Sequence, residues 1–248
     1  MEFLHRTWAE IDLNALEHNF DIIKKEAGKN RIMAVVKADA YGHSARNTAP
    51  LLERRGADAF AVSNIEEAIT LRGCGITKPV LILGYTPVSM VSQLYLNDIT
   101  QCVYSSEYAK DLSESAVKSG VTVKIHIKLD TGMGRIGFDC RDASLSGIKE
   151  AVKAAKMPGF VFDGVFTHFA VSDRTPDSED GFTDEQYSRF KAGIEKLKAE
   201  GLSPRVCHCC NSAAFCLDGD KHLDMCRPGI ILYGLTPSSD LKLSENFI

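Results

Sequence analysis

Residues 32–43 are Ile32-Met33-Ala34-Val35-Val36-Lys37-Ala38-Asp39-Ala40-Tyr41-Gly42-His43. Five apolar residues in succession predict a buried strand, and that strand ends on a lysine. An amine there is poorly hydrated, which favours its neutral form, and a neutral amine can form a Schiff base with a carbonyl cofactor. On this segment alone, the simpler interpretation is a lysine that leaves the core and extends into solvent. The rest of the chain decides between the two.

The composition is that of an ordinary globular protein. The 248 residues are 44% hydrophobic and 25% charged, with a formal net charge of −4. This length suits a single α/β barrel, and the charge gives no reason to expect a nucleic-acid or membrane surface. No apolar run is long enough to span a bilayer, and Met1–Arg6 lacks the apolar core of a signal peptide, so we expect a cytoplasmic protein.

Eight cysteines raise the question of a metal site. Residues 207–210 are Cys-His-Cys-Cys, and Cys216, His222 and Cys226 follow; thiolates and imidazoles suit zinc. Neighbours on a strand point to opposite faces, however, so consecutive residues cannot all converge on one ion, and no paired C-x-x-C pattern is present. We therefore predict no metal, and small buried thiols in a reducing compartment.

Strand-like and helical segments alternate along the chain. Strands are predicted at Arg31–Val36, Ala59–Val62, Val80–Leu83, Thr100–Tyr104, Val121–Leu129, Phe160–His168, Arg205–Cys210 and Leu223–Arg227. Helices are predicted from Leu13 to near Gly28, and at Ser44–Arg55, Ile65–Arg72, Val88–Tyr95, Glu107–Ser119, Ala143–Ala155 and Thr183–Glu200. Such alternation implies parallel pairing, and eight strands fit a closed (β/α)8 barrel of the TIM type. An open dinucleotide-binding sheet is disfavoured because no Gly-x-Gly-x-x-Gly follows the first strand.

Local signals refine this outline. Asp12 is predicted to cap the first helix, and Thr183 followed by Gln186 predicts a capping box at the last. Thr7–Asp12 alternates like a short strand, and the polar segment Ser172–Gly181 is predicted to be a mobile loop on the barrel rim. We expect no domain boundary within the barrel.

Titratable and polar residues gather at one end of the predicted barrel, where the active sites of such barrels are built. They are Lys37 and Tyr41 after the first strand, Lys128, Asp130 and Arg135 at the fifth, His168 at the sixth, Asn211 and Ser212 after the seventh, and Arg227, Gly229 and Ile230 at the eighth. The last two loops offer a hydroxyl and backbone N–H groups for a phosphate, although an ordinary helix N-cap also explains Ser212. A Schiff-base lysine and a phosphate site together point to pyridoxal 5′-phosphate.

Seven segments form a longer pattern: Thr7–Asp12, Ala34–His43, Lys128–Gly137, Thr167–Ala170, Asn211–Ala214, Arg227–Ile230 and Leu232–Gly234. In their order and spacing, the chain resembles the pyridoxal-phosphate-binding barrel domain of bacterial alanine racemases, the fold-type III family. The resemblance extends from about residue 5 to about residue 238.

The resemblance implies a role for each residue of the site. Lys37 would be the Schiff-base lysine and one of two catalytic bases. The phosphate would be bound by Tyr41, Ser212 and the backbone of Gly229 and Ile230, with Leu83 and Asn211 also in the cofactor site. His168 would pack beside the ring, Arg135 would reach the phenolic oxygen, and Lys128, carbamylated in some family members, would orient Arg135.

Arg227 would face the pyridine nitrogen. A guanidinium cannot accept a proton, so that nitrogen would stay unprotonated, which favours racemisation over transamination. The alternative for Arg227 is a structural ion pair with Asp224 or Glu10.

The sequence departs from the family in two places. Ser44 stands where the family usually has glycine, and we expect it to cap the next helix at little cost. Family members also continue into a β-rich domain that supplies, across a homodimer, a tyrosine as the second base, and no tyrosine follows Tyr233 here. We therefore expect a strand at residues 1–12 that packs with that domain, the barrel at 13–238, and the start of a linker at 239–248. The chain would be a truncated form or isolated domain with weak activity or none.

The expected function is interconversion of L- and D-alanine, a small amino-acid substrate, for peptidoglycan synthesis. Two alternatives stay open: a serine racemase of the same family, and a single-domain pyridoxal-phosphate-binding protein with a homeostatic role. Gly132–Arg135 and the segment around Trp8 favour the two-domain enzymes over the last of these.

Overall fold

Eight parallel strands form the wall of a barrel. The computed structural model describes residues 7–174, 181–239, 241, 243 and 246–248. The strands are β1 (Arg31–Val35), β2 (Ala59–Val62), β3 (Val80–Ile82), β4 (Ile99–Val103), β5 (Val123–Asp130), β6 (Phe138–Asp139), β7 (Phe160–Phe166), β8 (Val206–His208) and β9 (Met225–Cys226). They pair in the order β8-β7-β5-β4-β3-β2-β1-β9, and the short β6 pairs with the end of β5. This order confirms the predicted (β/α)8 barrel.

The barrel closes between β8 and β9 through individual backbone contacts rather than a regular ladder. The Arg227 N–H donates to the Cys210 carbonyl at 2.9 Å, and the Asp224 N–H donates to the Cys207 carbonyl at 3.2 Å. The Asp224 carboxylate also accepts from the Cys207 N–H at 2.8 Å. We call this junction the seam.

Helices cover the outside of the barrel. They are α1 (Leu13–Ala27), α2 (Ala45–Arg55), α3 (Ile65–Gly73), α4 (Val91–Leu96), α5 (Ser106–Lys118), α6 (Ile148–Ala155), α7 (Phe182–Ala199) and α8 (Ser212–Leu217). On α1, Leu16, Phe20 and Ile23 recur every three or four residues and are buried in the core, as helical periodicity requires. Asp12 caps this helix by accepting from the Asn14 N–H at 2.8 Å, which confirms that prediction. None of the helices in the described ranges is long and apolar enough to cross a membrane.

Several predicted boundaries are wrong for local reasons. The helix predicted from Ala143 begins only at Ile148, because Asp142 accepts the Ser144 N–H at 2.8 Å and Leu145 has a φ of 52°, which makes a turn. The capping box is wrong as well, since Gln186 lies fully buried and accepts the Ala170 N–H at 2.8 Å instead.

The two ends of the chain differ from each other. Residues 7–12 form no strand, and Trp8 is 67% exposed. The final residue, Ile248, exchanges two hydrogen bonds with the Asn19 side chain, which attaches this end to α1. Residues 1–6, and 175–180 of the predicted rim loop, lie outside the described residues.

Ser44 occupies the N-cap position of α2 without capping it. Its φ is 62°, a left-handed value, and its side chain makes no capping bond. The Asp39 carboxylate accepts the Ala45 N–H at 2.7 Å in its place. The expectation that serine would be a useful cap is therefore wrong, and the left-handed backbone explains why glycine suits this position.

We expect Ser44→Gly to raise the free energy of unfolding by about 0.5–1 kcal/mol, because a non-glycine residue is strained in this conformation. Urea denaturation of the two proteins would measure the difference. Ser44→Ala is the matched control and should give no gain, since alanine keeps the strain. An equal gain from Ser44→Ala would contradict this explanation.

Candidate active site

A left-handed turn places Lys37 at the mouth of the barrel. After β1, residues Ala38, Asp39, Ala40 and Tyr41 all have φ between 52° and 56°. Non-glycine residues are strained there by about 1–2 kcal/mol each, so the surroundings must hold the turn. The Glu67 carboxylate contributes by accepting the Ala38 N–H at 2.8 Å, and the Asp39 carboxylate contributes by accepting the Ala45 N–H at 2.7 Å. The turn sets the Lys37 ammonium 6.0 Å from the centre of the Tyr41 ring.

The predicted site residues meet in one cavity of about 550 Å³. It lies at the carboxyl ends of the strands. All eleven predicted cofactor-site and supporting residues line it: Lys37, Tyr41, Leu83, Lys128, Arg135, His168, Asn211, Ser212, Arg227, Gly229 and Ile230. Asp130 does not line it; its carboxylate instead accepts the N–H groups of Gly132 and Gly134, which shapes the turn after β5.

One corner of the cavity carries two hydroxyls beside a glycine. Ser212 Oγ accepts the Gly229 N–H at 2.9 Å, so its own hydrogen remains available to an anion. A Cβ added to Gly229 would lie 2.6 Å from the Tyr41 hydroxyl oxygen. Asn211, not Ser212, caps α8, accepting the Ala214 N–H at 3.0 Å. The helix-cap interpretation of Ser212 is therefore wrong.

Arg227 is buried, with 4% of its surface exposed, and it has no carboxylate partner among the described residues. Its guanidinium donates to the carbonyls of Thr167 and Cys209 at 2.9 and 3.0 Å. Asp224 is bound to the seam, and Glu10 accepts the Trp8 indole N–H at 3.0 Å. The alternative of an ion pair with either acid is therefore wrong.

Two buried histidines orient Arg227 from inside the barrel, and the sequence interpretation missed both. An Arg227 N–H donates to His208 Nδ1 at 3.0 Å, which fixes the remaining proton of His208 on Nε2. That nitrogen is 2.9 Å from His126 Nδ1. Burial lowers the pKa of both histidines, so they stay neutral beside the guanidinium. The alternation of side chains along β5 could have revealed His126, because residues 126 and 128 point to the same face of that strand.

The cavity is strongly electropositive. Burial, and then the charges of Arg227, Arg135, Lys128 and Lys37, hold the pKa of His168 well below its usual range. Burial also lowers the pKa of Lys128 to about 8, and its ammonium lies 5.6 Å from the Phe166 ring centre. These positive charges, including the Arg227 guanidinium that has no carboxylate partner among the described residues, favour an anionic ligand.

Comparison with known families matches residues 11–237 to the alanine racemase N-terminal domain. The chain belongs to the alanine racemase family. It is 44% identical over 237 residues to alanine racemase 1 of Caldanaerobacter subterraneus subsp. tengcongensis, covering 95% of this chain and 60% of that protein. It is also 44% identical over 239 residues to the alanine racemase of Clostridium tetani, with coverages of 96% and 60%. The chain thus spans about 60% of the length of these curated relatives.

Solved alanine racemases share the barrel. The enzyme of Clostridium difficile 630 in complex with cycloserine has a TM-score of 0.90 and 38% identity, covering 99% of this chain and 66% of that one. The Bacillus anthracis enzyme with bound L-Ala-P has a TM-score of 0.86 and 34% identity, with coverages of 98% and 61%.

Alanine racemases depend on pyridoxal 5′-phosphate, and the cavity fits that cofactor. The absent side chain of Gly229 leaves room beside the Tyr41 and Ser212 hydroxyls that a phosphate group would take. Lys37 offers the amine for the aldehyde, and the buried guanidinium of Arg227, which lines the same cavity, offers a donor for the ring nitrogen. The individual roles remain predictions.

Proposed function

We propose that the chain is the cofactor-binding barrel of a pyridoxal 5′-phosphate-dependent racemase that interconverts L- and D-alanine. The observation that carries this proposal is Arg227, a buried guanidinium without a described carboxylate partner, in the same cavity as Lys37. The family membership of the chain supports the same function.

When bound, pyridoxal 5′-phosphate would supply an aldehyde that couples to amines and a ring that withdraws electrons from the substrate α-carbon. The Lys37 amine would take a proton from that carbon, or return one, on a single face. Arg227 would donate a hydrogen bond to the ring nitrogen and, because it has no lone pair to accept a proton, would keep that nitrogen unprotonated. Tyr41 and Ser212 would hold the phosphate through their hydroxyls.

Lys128 would act through Arg135. The two charged side chains line the same cavity, and Lys128 itself is only 3% exposed. Conversion of its amine to a carbamate would replace a buried positive charge with a negative one beside arginines. The negative carbamate would attract the Arg135 guanidinium and hold it against the cofactor.

We expect the carbamate content of Lys128 to rise as the pH is raised through about 8, because only the neutral amine reacts with CO2 and the reaction releases a proton. Carbon-13 NMR with labelled bicarbonate would measure the carbamate signal. Lys128→Arg should abolish it. A signal of unchanged intensity in that variant would contradict the assignment.

The proposal also covers the partner subunit, the use of the product and the cellular compartment. The second base and the groups for the substrate carboxylate would come from a homodimer partner, as the sequence resemblance implies. The product D-alanine would supply peptidoglycan synthesis in the cytoplasm. All eight cysteines are free thiols, which supports a reducing compartment.

The test uses the chain with added cofactor in deuterated water. One base serves one face, so one enantiomer of alanine should exchange its α-hydrogen at least about 100-fold faster than the chain racemises it. Proton NMR would follow the exchange, and chiral chromatography the racemisation. Faster exchange of serine than of alanine would indicate the serine racemase. Cofactor binding without exchange of either amino acid would indicate a binding protein.

A further inference from the structure

Three metal-ligating side chains converge beside the seam, outside the cofactor cavity. Cys210 follows β8, Cys226 ends β9, and His222 lies in the connection between them. Their ligand atoms all lie within 4.8 Å of one another, and all three residues are buried. None of the three lines the cavity that holds Lys37.

We propose that Cys210, His222 and Cys226 form a buried structural site for a thiophilic metal ion of the Zn²⁺ class, which links β8 to β9. The prediction of no metal considered residues 207–210 as a run of neighbours. Only Cys210 of that run takes part, and the other two ligands come from separate elements, so strand alternation does not oppose the site.

The donor set suits a thiophilic metal ion. The Cys210 thiol donates to the Asn211 carbonyl at 3.5 Å and the Cys226 thiol to the His222 carbonyl at 3.9 Å, and Cys226 also hydrogen-bonds with the side chains of Cys210 and His222. Two thiolates and one imidazole are typical ligands of Zn²⁺ and Cu⁺, which prefer soft donors.

His222 is already held as metal-bound histidines are. Its Nε2 donates to the Phe215 carbonyl at 3.3 Å, so Nδ1 is the nitrogen left for a metal ion. The ring stacks on Phe215 with centroids 5.0 Å apart and planes 5° apart. A backbone carbonyl on the second nitrogen, with the ring held in place, is the usual outer support of a ligating histidine.

Cys209 provides a matched comparison for the ligand cysteines. It is buried like Cys210 and Cys226, but it does not belong to the cluster, and its thiol donates to the Lys221 carbonyl at 3.3 Å. Metals bind thiolates, so an ion at the cluster would displace the protons of Cys210 and Cys226 and leave the Cys209 thiol unchanged.

The position of the site indicates what the ion would do. Cys210 immediately precedes Asn211 and Ser212, and Cys226 immediately precedes Arg227. The seam here has few backbone bonds, one of which joins Arg227 to Cys210. An ion held by both strands would fix the two loops against each other, and its burial separates it from the substrate.

The experiment measures the metal content of the full chain after purification without chelators, by inductively coupled plasma mass spectrometry. We expect about one Zn²⁺ per chain, and a thiolate-to-metal charge-transfer band when Co²⁺ replaces it. Loss of an outer support weakens metal binding by about 10–100-fold, so loss of a ligand in Cys226→Ser should weaken Zn²⁺ binding by at least about 100-fold. Cys209→Ser should keep the affinity. Copper in place of zinc would assign the same site to Cu⁺.

A second measurement on the unchanged chain covers the case in which Cys226→Ser does not fold. Zn²⁺ should protect the thiols of Cys210 and Cys226, but not that of the half-buried Cys74, from alkylation as mapped by peptide mass spectrometry. Absence of a Co²⁺–thiolate band in the folded chain, or protection that does not depend on added metal, would overturn the proposal.

Discussion

Lys37→Ala should abolish the visible absorbance band that forms when the chain is mixed with pyridoxal 5′-phosphate. It should also abolish the adduct that borohydride fixes to the protein, because the amine that couples to the aldehyde is gone. Exchange of the substrate α-hydrogen should fall by about 10²–10⁴-fold, the usual contribution of a positioned acid or base. Absorbance titration, peptide mapping after reduction and NMR would measure the three effects.

Two other lysines serve as controls for this result. Lys128 lies on β5 and lines the same cavity as Lys37. Lys124 also lies on β5 but does not line the cavity, and its ammonium pairs with the Asp98 carboxylate at 2.6 Å. Lys124→Ala should leave the band unchanged. If the reduced adduct mapped to Lys128 in the unchanged chain, the assignment of Lys37 would be wrong.

The sequence predicted the barrel and the composition of its active end because both follow from short-range patterns. Short apolar runs such as Ala59–Val62 and Val80–Ile82, between helical segments, are typical of buried parallel strands, and all four residues of the first are buried. Once the strands are placed, their carboxyl ends must lie on one rim. That is why residues as distant as Lys37 and Arg227 could be assigned to one cavity without knowledge of their contacts.

Contacts made by side chains with distant backbone groups could not be predicted in this way. Gln186 matched a local capping pattern, but its side chain instead accepts a hydrogen bond from the Ala170 N–H in the loop after β7. The left-handed turn from Ala38 to Tyr41 contradicts the local preferences of its residues, and contacts from elsewhere in the chain, such as the bond from the Ala38 N–H to Glu67 of α3, help to hold it. Likewise, the convergence of Cys210 with His222 and Cys226 depends on the path of the intervening chain, which spacing does not reveal.

Gly229→Ala should weaken binding of pyridoxal 5′-phosphate by about 10–100-fold, the equivalent of one lost hydrogen bond to a charged group. The new Cβ would lie 2.6 Å from the Tyr41 hydroxyl oxygen and 3.4 Å from Val35 Cβ, so the tyrosine must move out of the phosphate corner. The backbone of Gly229 (φ −127°, ψ −90°) lies outside the regions that alanine favours, so backbone strain adds to this contact, and the effect of the contact must be isolated. Fluorescence or absorbance titration with the cofactor would measure the dissociation constant.

A double-mutant cycle with Tyr41→Phe separates this clash from a general disturbance of the loop. Removal of the hydroxyl also removes the 2.6 Å contact, so Gly229→Ala should weaken binding much less in the Tyr41→Phe background than in the unchanged chain. Gly219→Ala is the matched control, because a Cβ there meets no atom within 4 Å, and it should leave the dissociation constant unchanged. If Gly229→Ala weakened cofactor binding equally in both backgrounds, the effect would not depend on the Tyr41 hydroxyl. The assignment of Tyr41 and Gly229 to one phosphate-binding corner would then be wrong.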